Sequence, residues 1–249
     1  MKSRDPSGES TVNQPKNQPA FSLPPIVYLI SGLAADERIF RNLTLEAEVV
    51  FIPWLIPLHP KEPLPEYAER MAEKIIPGWP GIIAGVSFGG MVALEIASVR
   101  PWLKAVEISS INDPKFLPWH LRLVRFSGLY KIMPPQALKW FPQAGAWFFG
   151  TKGKTEYALF TDILNGADPF YMRWAINQLL NWKPENTTDC LQIIGTDDTI
   201  FPPRYCPGAI QIKGGTHLMV YSEAAQISQI LNKLLNKLNA EKSLAENKE

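Results

Sequence analysis

The sequence predicts an α/β protein: a mostly parallel, doubly wound sheet with a helical insertion. Three observations lead there. Short, β-branched apolar runs alternate with segments of helical period, as in a parallel sheet covered on both faces. Several of those runs are apolar on both faces, the pattern of strands buried on two sides. The alternation then stops between residues 111 and 182, which read as mainly helical and hold five tryptophans and seven phenylalanines.

In order, residues 26–30 (IVYLI) are the first strand candidate, broken by Ser31-Gly32. Residues 36–45 offer a short helix and 48–55 (EVVFIPWL) a second strand. Residues 65–76 (PEYAERMAEKII) place Pro near the start of a helical apolar pattern. A third strand at 81–86 (GIIAGV) precedes a helix at 88–99, and 103–109 (LKAVEIS) is the fourth strand. After the insertion come strands at 190–194 and 209–212. The closing helix, 223–238, gathers Ile227, Ile230, Leu231, Leu234, Leu235 and Leu238 on one face.

The expected organisation is a disordered tail (1–24), core (25–110), helical lid (111–182), core (183–238) and polar tail (239–249). A length of 249 residues suits one domain with an insertion. The formal net charge of +1 argues against nucleic acid as the main partner, which rewards a strong basic excess. No run reaches the ~18 apolar residues of a membrane span, and the first 24 residues lack a secretory apolar core. Cys190 and Cys206 form neither a disulfide framework nor a metal motif. The expectation is a cytoplasmic protein without stable membrane insertion; the sequence does not specify its oligomeric state.

The chemistry concentrates at three strand ends. Gly85-Val86-Ser87-Phe88-Gly89 fits G-x-S-x-G between a strand and a helix, a turn that strains the backbone of its serine. Phe88 then offers its N–H at a helix N-terminus, where a developing oxyanion is favoured. Serine needs a base. Of His59, His120 and His217, only His217 follows a strand candidate, in IKGGTHLMV; His59 in a Pro-rich segment and His120 in the insertion read as surface or packing residues. Residues 190–203 (CLQIIGTDDTIFPP) run a strand into Asp197 and Asp198, either of which could accept the imidazole Nδ1–H.

These segments resemble the α/β-hydrolase superfamily from about residue 25 to 238. GVSFGG resembles its nucleophile elbow and KGGTHLMV the segment of its catalytic histidine. IIGTDDTIFP resembles its acid segment, which puts Asp198 rather than Asp197 in the acid's position. The chain order Ser87, Asp198, His217 is the order of that family. YLISGLAADERIF resembles the loop after the first core strand, where most members carry His-Gly; here Ser31-Gly32 departs from the pattern. The resemblance implies a second oxyanion donor at the Leu33 N–H and weaker anchoring of that loop. DPFYMRWAINQLLNW resembles the end of the lid in small carboxylesterases.

The resemblance implies hydrolysis of a small-molecule ester or related acyl substrate through an acyl-enzyme, with Ser87, His217 and Asp198 as triad and no metal or organic cofactor. A thioesterase, acyltransferase, C–C hydrolase or lyase would use the same triad. A silent ligand-binding protein is a reading from another class, because fold does not guarantee function. A lipid-surface enzyme would need a basic or amphipathic face, and neither stands out in the sequence.

Overall fold

The computed structural model describes residues 24–132, 142–184, 186 and 188–246. Strands β1 (Ile26–Ile30), β2 (Glu48–Phe51), β3 (Gly81–Val86), β4 (Leu103–Ile108), β5 (Cys190–Gly195) and β6 (Ile210–Ile212) form one sheet in the order β2-β1-β3-β4-β5-β6. All five neighbouring pairs are parallel. β1 and β3 are buried along their whole length, as their continuous apolar runs require.

Helices cover both faces. On one lie α1 (Leu64–Met71) and α2 (Phe88–Ser98), with α7 (Pro169–Asn181) from the insertion packed against them. α2 is apolar on all sides because sheet and helices enclose it; every residue from Phe88 to Ala97 is buried. On the other lie α8 (Met219–Ser222) and α9 (Ala224–Glu246), where Ile227, Leu231 and Leu235 face the sheet.

The expected helix at 36–45 is a single 3-10 turn, Glu37–Phe40, capped by Asp36, which accepts from Arg38 N at 3.0 Å. Beyond it the chain turns to the C-terminal helix instead: Thr44 N donates to Ser228 Oγ at 2.9 Å. β2 stops at Phe51 rather than at 55, because Pro53 has no N–H for the ladder. Leu55 instead makes both its backbone bonds with the Tyr67 hydroxyl, at 3.0 and 2.7 Å. α9 continues to Glu246, eight residues past the last apolar position of the sequence pattern. The expected N-terminal tail lies, except for Pro24, outside the described residues.

Between β4 and β5 run a 3-10 turn (Pro114–Phe116), α3 (Trp119–Ser127), α4 (Leu129–Ile132), α5 (Pro142–Phe149), α6 (Lys154–Gly166) and α7. α7 is tied to the core by its indoles and their neighbours. Trp174 Nε1 donates to Glu62 O at 2.9 Å, and Trp182 Nε1 just beyond the helix donates to Glu95 Oε1 at 2.7 Å.

Candidate active site

Ser87 stands between β3 and α2 with φ 54° and ψ −122°. Only close packing holds a non-glycine residue there. A Cβ on Gly85 would lie 2.0 Å from Gly89 O, and one on Gly89 would lie 2.2 Å from Ser31 O. Both glycines of G-x-S-x-G are therefore steric requirements of the turn. Ser87 N donates to Ile108 O on β4 at 2.9 Å, which locks the turn to the next strand. Among the described residues the non-glycines with positive φ are Ala34, Ser87 and Ser109, at the ends of β1, β3 and β4. Backbone strain gathers at one edge of the sheet.

The two acids that the motif left open are separated by burial. Asp197 is exposed and accepts from the neighbouring Thr196 Oγ1 at 2.9 Å. Asp198 is buried: one oxygen accepts from Ile200 N (2.9 Å) and Phe201 N (2.8 Å), and the other lies 2.9 Å from His217 Nδ1. With its first oxygen occupied by two backbone donors, the carboxylate acts as acceptor toward the ring, which fixes the proton on Nδ1. Glycines again set the spacing. A Cβ on Gly195 would lie 2.1 Å from Gly215 O, so the end of β5 and the loop bearing His217 are in backbone contact, and Asp197 N donates to Gly215 O at 2.9 Å.

The imidazole is buried between Phe201 (centroids 5.7 Å) and Phe149 of α5 (5.5 Å, edge-on). Its Nε2 has no hydrogen-bond partner among the described residues. Nε2 and Ser87 Oγ both belong to residues lining one cavity. No hydrogen bond joins the two atoms in the structure. His59 is exposed, and His120 lies on α3 beside the Ile200 backbone, where burial lowers its pKa.

No protein-family model matches the sequence, and no curated protein does. Solved structures match over most of their length. A thermophilic esterase from Thermogutta terrifontis is 14% identical, with 87% of this chain and 91% of that one covered and a TM-score of 0.62. For a putative aryl esterase from Burkholderia cenocepacia the values are 12%, 88%, 92% and 0.63. For an N-acyl homoserine lactonase they are 12%, 86%, 90% and 0.66.

The chain has the α/β-hydrolase fold.

Within this α/β-hydrolase fold, the loop after β1 crosses directly over the serine. A Cβ on Gly32 would touch Ser87 Cβ at 3.7 Å. The weak anchoring expected from Ser31-Gly32 is not what the structure shows. Ser31 Oγ donates to Ala35 O at 2.6 Å, and Trp54 Nε1 donates to Gly32 O at 3.0 Å. The Trp54 ring also stacks on Phe88 (centroids 5.5 Å, planes 18° apart). One side chain thus braces the loop carrying Leu33 and the residue following Ser87. Sequence reading missed Trp54, whose only signal was an indole three residues past the end of β2.

The cavity encloses about 270 Å³, near the lower end of small-molecule sites, which span roughly 300–1,000 Å³. Leu33, Leu121, Phe149, Phe160 and Ile176 contribute to its wall; Ser87 and His217 are its only polar side chains among the described residues. α7 packs on the core and, together with α3, α5 and α6, walls the cavity.

Proposed function

We propose that this chain is a serine hydrolase that cleaves small, uncharged carboxylic esters through an acyl-enzyme. The observation that supports it most is the buried Asp198–His217 pair opening, together with the strained Ser87, into one apolar cavity. Structures of the same fold described as esterases and as a lactonase are in keeping with ester chemistry.

Ser87 Oγ attacks the ester carbonyl while His217 Nε2 takes its proton. Asp198 holds the ring tautomer and stabilises the imidazolium. The oxyanion accepts from the backbone N–H groups of Phe88 and Leu33, each donor worth on the order of 3 kcal/mol in such sites. His217 next returns the proton to the alkoxide as alcohol leaves. Water, deprotonated by the same ring, attacks the acyl-enzyme, and Ser87 recovers its proton as the acid departs. Among the described residues the cavity wall offers no lysine or arginine to pair with a charged acyl group, so neutral, apolar acyl chains fit better than ionised ones.

A fluorescent fluorophosphonate tests the nucleophile. The folded protein is expected to label stoichiometrically, and Ser87→Ala and heat-denatured protein not at all. Absence of labelling in folded protein overturns the assignment.

A further inference from the structure

α3 carries two apolar faces. Leu121 and Val124 line the cavity. Trp119, Leu123 and Phe126 stand at i, i+4 and i+7, which at about 3.6 residues per turn puts them on the opposite side. A helix on a globular protein ordinarily shows polar residues there. Instead no residue of α3 is buried, and Phe126 is 92% exposed. α4 follows after Gly128 and adds Leu129 and Ile132, the latter 78% exposed.

The charged residues of α3 and α4, namely Arg122, Arg125 and Lys131, all have one sign. Between Asp113 and Glu156 the sequence holds seven lysines and arginines and no aspartate or glutamate. The chain has 25 cations and 24 acids, so the remainder carries eighteen cations against those twenty-four acids. That stretch is net positive in a chain whose remainder is net acidic, although Lys152 within it pairs with Glu223 at 3.7 Å. Arg122 and Arg125 flank the apolar stripe, and Lys131 lies between Leu129 and Ile132. Arg122 donates to the carbonyls of Leu117 and Lys115, which orients its guanidinium without neutralising it. Arg173 of α7 donates to Lys131 O at 2.7 Å and adds a further cation. Asp113 is occupied by Lys115, at 2.7 Å. α7, which packs against α3 and α4, bears no acid between Pro169 and Asn181.

We infer that the outer face of α3 and α4 docks on a bilayer carrying anionic headgroups. Exposed aromatic and aliphatic side chains beside unpaired-sign cations match a diffuse negative surface with an apolar interior. A second copy fits poorly, since two such faces would bring like charges together. The contact is peripheral: no helix among the described residues is long and apolar enough to cross a membrane. It would seat Phe126 and Trp119 at the headgroup level, with the cavity on the other side of the same helix.

The full chain is to be sedimented with pure phosphatidylcholine vesicles and with equimolar phosphatidylcholine and phosphatidylglycerol vesicles. Binding is expected to the second and not the first, and to fall as salt is raised. Each cation near an anionic surface strengthens partition roughly five-fold, so Arg125→Glu, a change of two charges, should weaken it roughly twenty-five-fold. Phe126→Glu should abolish it. Both variants are expected to keep the parent melting temperature, because neither side chain is buried. Failure to bind either vesicle, equal binding to both, or variants that bind like the parent overturns the inference. So does a dimer, seen by sedimentation velocity without vesicle binding, that Phe126→Glu disperses; the face would then belong to a second copy.

Discussion

The strand-end site and the helical insertion above it follow opposite rules. At the strand ends backbones meet at distances only glycine permits, and Asp198 has both oxygens occupied. In α3 nothing is buried, and aromatic and aliphatic side chains face water. The first region holds a few atoms in fixed geometry. The second shapes the surroundings of those atoms and presents a face outward. Rigidity belongs where bonds are made, and sequence freedom belongs in the wall around them.

The contrast can be broken most severely at Asp198. Asp198→Asn should lower kcat on a soluble ester by roughly 10³–10⁴-fold, the scale of losing the base's orienting acid. Asp197→Asn, one residue away and exposed, should leave kcat near the parent value. Similar losses in both variants would reverse the assignment of the acid.

Trp54→Phe retains a ring on Phe88 but removes the N–H that holds Gly32 O. One neutral hydrogen bond is worth about 1 kcal/mol, so kcat should fall roughly five-fold. KM should hold and the melting temperature should change little, because Trp54 does not line the cavity. A rise in KM at constant kcat would show that Trp54 acts on substrate binding instead.

Glu107, in the middle of β4, sharpens the contrast through stability. Burial pushes its carboxyl up to about 7, against hydrogen bonds from Gln192 and Ser110 that favour the ionised form. Its folded-state pKa thus exceeds the unfolded value. Stability is fullest below the unfolded pKa, falls as pH rises toward 7, and levels off above it, a loss on the order of 3 kcal/mol. Glu107→Gln should flatten this dependence, so that melting temperatures at pH 5 and pH 8 converge relative to the parent. The smallest effect belongs to the insertion: Leu123→Ser should shift unfolding free energy by no more than about 0.5 kcal/mol in denaturant melts.

Much of this could be read from sequence where the strand ends are constrained locally. β3 follows from its continuous apolar run and Gly85 from Gly89 four residues on, whereas the contacts of Gly89 with Ser31 and of Gly195 with Gly215 are set by distant segments. The order of strands across the sheet was not legible, since pairing is decided by distant segments. Asp198 and Asp197 share one motif, and residue-level reasoning left both open; only the fold buries one and exposes the other. Trp54 was invisible because its partners, Gly32 and Phe88, lie 22 and 34 positions away. The outward face of α3 was hidden for another reason. Apolar residues stand on two sides of WHLRLVRFS, so which of them faces outward is not legible until the other is seen lining a cavity.

The scarcity of polar groups in the cavity also gives the proposed reaction a direction of traffic. A neutral ester loses little on leaving water for such a wall. The acid formed from it is ionised at neutral pH, and an unpaired carboxylate is strongly disfavoured among leucines and phenylalanines. Substrate and product therefore differ in solvation more than in shape. Hydrolysis itself ejects the product, and the free acid should be a poor inhibitor of the turnover that made it.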